Sequence, residues 1–148
     1  MHKRDLIIHL REHLLEKVAA IQADIASTLA ARNTDTKSSA GDKHEVGRAM
    51  IQQELDQQEA QLAKLQLLQQ ELDRVPLDRV YARVGFGSLV TTDQGDYFIA
   101  IGLGQVEVDG QSCFVISLAS PIGQALKDKQ IGDAVAFNSR IIRVMSIA

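Results

Sequence analysis

Ile7-Ile8-His9-Leu10-Arg11-Glu12-His13-Leu14-Leu15-Glu16-Lys17-Val18-Ala19-Ala20-Ile21 decides how the first half of this chain folds. Ile7, Leu10, Leu14, Val18 and Ile21 recur at steps of three and four, and Ile25 and Leu29 continue the series. That spacing lines one face of a helix. No Gly or Pro interrupts residues 3 to 32, so one helix is expected across them. A second stretch, from about residue 45 to 74, puts Ile51, Leu55, Leu62, Leu65 and Leu72 on one stripe, with glutamines over much of the remainder. It is expected to be helical as well.

Neither stripe is wide enough to stabilise a helix alone, and Asn33-Thr34-Asp35-Thr36-Lys37-Ser38-Ser39-Ala40-Gly41 between them is polar enough to turn. An antiparallel hairpin follows. At about 1.5 Å per residue, a helix of about 30 residues extends on the order of 45 Å, more than a small second domain would measure. The hairpin is therefore expected to project as a rod, with residues 33 to 48 at its far end.

Pro76 closes the second helix, because it lacks the backbone donor and biases Val75 away from helical angles. Beyond it the pattern changes to short apolar runs broken by turn residues: Gly87-Ser88-Leu89-Val90-Thr91, Tyr97-Phe98-Ile99-Ala100-Ile101, Cys113-Phe114-Val115-Ile116-Ser117, Ala134-Val135-Ala136-Phe137 and Ile141-Ile142-Arg143-Val144. These read as an antiparallel sheet. Pro121-Ile122-Gly123-Gln124-Ala125-Leu126-Lys127 suits a short helix instead, with Ser120 as its N-cap and Pro at the first helical position. The expected class is α+β, with residues 1-75 forming a helical coiled-coil hairpin and residues 76-148 a small β domain carrying one short helix.

Composition narrows the function. Hydrophobic residues at 45% with 24% charged describe a chain that folds rather than a disordered one. A net charge of −3 gives no general attraction to nucleic acid, so contact with DNA or RNA has to be local or come through a partner. Cys113, the sole cysteine, excludes an internal disulfide and a multi-cysteine zinc site, and its apolar run makes it a core residue. The apolar run near the N-terminus ends at Arg11 and Glu12, too soon for a signal peptide or membrane span, so a cytoplasmic protein is expected. His9-Leu10-Arg11-Glu12-His13 fits an H-x-x-E-H pattern, but on a rod-like helix with no cleft and no third ligand it reads as a solvated face.

Ile116-Ser117-Leu118-Ala119-Ser120-Pro121-Ile122-Gly123-Gln124-Ala125-Leu126, followed by Gln130-Ile131-Gly132-Asp133-Ala134-Val135, resembles the C-terminal domain of the Gre-type (GreA and GreB) transcription elongation factors, where a strand leads into S-P-I-x-x-A-L and a V-G-D-x-V turn. Val84-Gly85-Phe86-Gly87-Ser88-Leu89-Val90 resembles that domain's F-G-x-x-V strand, and Gly41-Asp42-Lys43-His44-Glu45 is similar to the G-D-x-x-E of the family's coiled-coil tip. The resemblance implies an FKBP-like C-terminal domain that docks at the RNA polymerase secondary channel, with Ser120, Pro121 and Ile122 in the docking segment. It implies a coiled coil that brings Asp42 and Glu45 to the polymerase active centre. There the family's carboxylates help hold a second Mg²⁺, so that backtracked nascent RNA is cleaved. The chain would then be no stand-alone enzyme, and would act as a monomer on polymerase and its RNA. Hard carboxylate oxygens suit Mg²⁺, and a spacing of three places both acids on one helical face.

The tip departs from the family after Glu45, where Val46-Gly47-Arg48-Ala49 replaces N-A-E-Y; Arg48 stands for an acid and Ala49 for an aromatic. Lys43 and Arg48 offer basic contacts to RNA phosphate or to the polymerase's own acids, beside Arg32 and Lys37, and Asp35 is a secondary acidic candidate. A Gre-like modulator or inhibitor that occupies the channel without cleavage stays open, as does the reading of D-x-x-E as a capping box. From other classes, a coiled-coil chaperone or assembly protein needs no tip acids. A prolyl isomerase would need an aromatic-lined pocket, for which two Tyr, four Phe and no Trp are scant material.

Overall fold

The computed structural model describes residues 1–35 and 41–148, apart from the side chains of residues 35 and 41–44. Helix α1 spans Lys3–Asp35 and α2 spans Gly41–Asp73. Both run a few residues past the expected ends at the side of the connection, because extending a formed helix costs far less than nucleating one. The two run antiparallel: Thr28 meets Gln58, whereas the earlier Arg11 meets the later Asp73 at 3.3 Å. The chain divides into two compact units, Glu12–Gln69 and Met1–Arg11 with Gln70–Ala148.

Within Glu12–Gln69, Leu14, Val18, Thr28 and Leu55 are buried, while Ile21, Ile25, Leu29, Ile51, Leu62 and Leu65 are half-buried along the same seam. Leu15 and Leu67 lie off the stripe and are exposed. Thr28 is the polar break in this seam. Its hydroxyl lies 2.9 Å from both the Asp24 carbonyl and the Gln58 side-chain oxygen, so the single proton serves an acceptor on its own helix and one on the facing helix.

The other unit is a six-stranded sheet in the order β3-β4-β2-β1-β6-β5, built from β1 (Leu89–Thr92), β2 (Gly95–Ile99), β3 (Gly104–Val108), β4 (Gln111–Ile116), β5 (Ala134–Phe137) and β6 (Arg140–Ile147). The expectation of a wholly antiparallel sheet is corrected by one pairing: β2 and β4 run parallel, with Tyr97 beside Phe114 and Ile99 beside Ile116. β3 causes this. It forms a hairpin with β4 on the outer edge, so β4 reaches β2 from the far side and in the same direction. The apolar runs did not reveal β3, since Gly104-Gln105-Val106-Glu107-Val108 is largely exposed on an edge and contributes only Val108 to the buried set.

Both faces of the central strands are covered, which explains their near-continuous apolar sequence. One face carries Val90, Ile99, Ile142 and Val144, packed with Val84, Val135 and Leu126 into one core and flanked by half-buried Tyr97, Ile116, Ile122 and Phe137. The alternate residues Leu89, Phe98, Cys113 and Val115 are buried as well, in a unit that also buries Leu6, Ile7 and Leu10 of α1, and Leu72 of α2. Lys3 fastens this helical end: its ammonium donates to the Gly87 carbonyl at 3.2 Å and lies 4.7 Å from the Tyr81 ring centre. The Tyr81 hydroxyl in turn donates to the Phe86 carbonyl at 2.8 Å.

Helix α3 (Pro121–Leu126) closes the first face. The Ser120 hydroxyl accepts from the Gly123 amide at 3.1 Å and donates to the Ser117 carbonyl at 2.7 Å, while the Lys127 amide donates to the Gly123 carbonyl. Gly123 has no room for a side chain; a Cβ there would collide with the Ser117 and Leu118 carbonyl oxygens.

Three outcomes are expected in chemical denaturation. Gly123→Ala should destabilise by about 3 kcal/mol, because the backbone around it must shift. Ser120→Ala should cost about 1 kcal/mol through loss of the cap. Thr28→Val should cost about 1 kcal/mol by removing the hydroxyl partner of the half-buried Gln58 side-chain oxygen at nearly constant shape.

Candidate functional site

Two groups of expected site residues fall on separate elements. The first is the start of α2. Because the helix begins at Gly41, Asp42 and Glu45 lie inside its opening turns, three residues apart, and Asp42 follows the helix start instead of preceding it. That position lies at the helix start, where D-x-x-E suits a capping role and a metal-facing one alike. Glu45 and Arg48 are exposed, and their spacing puts opposite charges on neighbouring positions of one face. The side chains of Asp35, Asp42, Lys43 and His44, and the whole of Lys37, lie outside the described residues.

The second group is the α3 entry. The Ser120 hydroxyl is committed to the cap on both its donor and acceptor sides, so its role is to fix the turn that presents its neighbours. Pro121 is exposed at the first helical position, and Ile122 is half-buried. Gln124 adds to this local frame by donating from its side chain to the Leu118 carbonyl at 2.7 Å.

Ile122 also belongs to a feature that sequence reasoning missed. Beneath α3 the sheet leaves an open cavity of about 360 Å³ with apolar walls of Tyr97, Phe114, Ile116, Ile122, Phe137 and Ile142. Gln94, Asn138 and Arg140 supply its polar lining. The parallel register sets Tyr97 and Phe114 side by side, with ring centres 5.3 Å apart in a stacked arrangement. The two-residue turn Asn138-Ser139, both left-handed at φ 46° and 64°, brings Arg140 directly opposite Phe137. A sparse aromatic content thus lines a cavity after all, because register gathers three rings that the sequence scatters over forty residues. Burial raises the Tyr97 phenol above its ordinary range, and the Arg140 charge draws it partly back.

No helix among the described residues is long and apolar enough to cross a membrane, and no cluster of three or more His, Cys, Asp or Glu side chains converges among them. Cys113 is fully buried, and burial, followed by the nearby Asp96 carboxylate, pushes its thiol up to about 12, which removes thiolate chemistry at neutral pH.

No family model matches the chain, and no curated protein does. Among solved structures, the chain is similar to a structure of the transcription factor Gfh1, at 21% identity over 93% of this chain and 92% of that one, with a TM-score of 0.36.

Proposed function

We propose that this chain is a Gre-type transcription factor that engages RNA polymerase at its secondary channel and presents Asp42 and Glu45 to the catalytic centre. The observation that carries the reading is the position of G-D-x-x-E. Gly41-Asp42-Lys43-His44-Glu45 opens the second of two antiparallel 33-residue helices, so the acid pair belongs to the connected end of the hairpin. The α3 entry adds support: Ser120-Pro121-Ile122 forms a capped, rigid corner with an exposed proline, suited to contact with a large partner.

Two carboxylates fall short of a cage for Mg²⁺, an ion that commonly keeps several waters and shares its ligands with a phosphate-bearing substrate. Asp42 and Glu45 fit a site completed by the polymerase. Bound there, a second Mg²⁺ would lower the pKa of a water and stabilise charge at the scissile phosphate of backtracked RNA. The chain's own contribution is positional: one helical face aims both acids, and Lys43 and Arg48 stand close in sequence as contacts for phosphate.

Arg48 favours a second reading, in which the chain occupies the channel without cleavage. In that reading the cation three residues from Glu45, on the same helical face, competes with a metal for the carboxylate.

Co-purification with RNA polymerase tests the partner. A transcript-cleavage assay on backtracked complexes then tests the acids. Asp42→Ala with Glu45→Ala should reduce cleavage to that of polymerase alone while leaving co-purification intact; unchanged cleavage would remove the metal-ligand role. Arg48→Glu should raise cleavage, by about tenfold if the cation is what restrains Glu45. Failure of the unmodified chain to bind polymerase would overturn both readings.

A further inference from the structure

The cavity beneath α3 combines an apolar lining with a few polar groups. Its walls are aromatic rings and branched aliphatics, and its polar groups are Gln94 in the β1–β2 turn, Asn138 in the β5–β6 turn and Arg140 at the start of β6. The Arg140 side chain makes no hydrogen bond or ion pair among the described residues, and no carboxylate lines the cavity. A guanidinium with five donors therefore stands unpartnered beside three rings. Arg140 and Tyr97 both line the cavity, and the Arg140 charge draws the Tyr97 phenol partly back toward its ordinary range. The volume falls in the range of small-ligand sites, as does a lining of mostly apolar groups with few polar ones.

From this arrangement we infer that the cavity is a binding site for an amphipathic carboxylate, its apolar body held against Tyr97, Phe114 and Phe137 and its anionic head paired with Arg140. A planar carboxylate matches the guanidinium fork in a bidentate pair, which a neutral amide cannot reproduce. Gln94 and Asn138 add amide donors to the same cavity lining. The turn supports this role. Asn138 and Ser139 are both held in left-handed backbone, a conformation that costs free energy for non-glycine residues and that fixes Arg140 at the first position of β6. The inference is independent of the polymerase reading, since it uses none of Asp42, Glu45 or Arg48.

Such a head and body occur on a free small molecule and on the C-terminal residue of a peptide, and two probes separate these sources. The first is 4-phenylbutyrate, compared with 4-phenylbutyramide; the second is acetyl-Ala-Ala-Phe with a free carboxylate, compared with its C-terminal amide. Each is titrated into the full ¹⁵N-labelled chain and followed by amide shifts at Tyr97, Phe114 and Arg140. At least one acid should bind with a dissociation constant of about 0.1–1 mM, at least about tenfold tighter than its amide. Arg140→Gln should erase that tenfold difference, and Ile122→Trp, which fills the apolar end, should weaken both acid and amide. The tighter of the two acids identifies the source. In the free protein, Arg140→Gln should also raise the Tyr97 pKa further, read from tyrosinate absorbance, because it removes the one charge that lowers it; unaltered circular dichroism and denaturation midpoint in that variant exclude a folding effect. No localised shifts with either acid, or an acid preference that persists in Arg140→Gln, would overturn the assignment.

Discussion

Close approach of the α3 backbone to the turn that follows β4 governs the C-terminal unit. Gly123 sits against the carbonyl oxygens of Ser117 and Leu118, at a separation that no side chain would allow. That approach drives Leu126 into the core formed by Val84, Val90, Ile99, Val135, Ile142 and Val144. Fully burying a leucine of this kind contributes about 1.5–3 kcal/mol, and the gain depends on the helix being seated this deeply. Because α3 is only six residues long, propensity could not hold it; the Ser120 cap, the Pro121 start and tertiary packing do so together.

The same seating shapes the surface on which function is proposed. It turns the Ser120-Pro121-Ile122 corner outward with Pro121 exposed, and it leaves Ile122 as the wall of a cavity that α3 only partly covers. Two opposed demands meet there. The core requires the helix to lie close at Gly123 and Leu126, whereas the rings of Tyr97, Phe114 and Phe137 line the neighbouring space that it leaves uncovered. Arg140 stands exposed at that opening, its guanidinium without a protein partner among the described residues.

The helical unit follows simpler rules. Its seam is narrow, with full burial at Leu14, Val18, Thr28 and Leu55 and partial burial between, so specificity rests on register. Thr28 supplies it. A hydroxyl placed to reach both Asp24 and Gln58 penalises any slip of one helix along the other, at some expense in apolar burial.

Sequence alone determined the parts whose cause is local. Periodic apolar residues gave both helices, Pro76 ended the second, Ser120-Pro121 marked α3, and Ala134–Phe137 emerged as β5 with the bounds its apolar run suggested. The G-D-x-x-E and S-P-I segments were equally legible, since each is contiguous. Tertiary structure decided what depends on residues distant in the chain. β3 is an edge strand whose exposure left little apolar signal, and its hairpin with β4 made the β2 and β4 pair parallel. That parallel register stacked Tyr97 on Phe114, and the β5–β6 turn set Arg140 beside them; none of these neighbours is within ten residues in sequence except Phe137 and Arg140. A strand's pattern states which face each side chain takes, but only pairing states which strand it will stand beside, and the cavity exists because of the pairing.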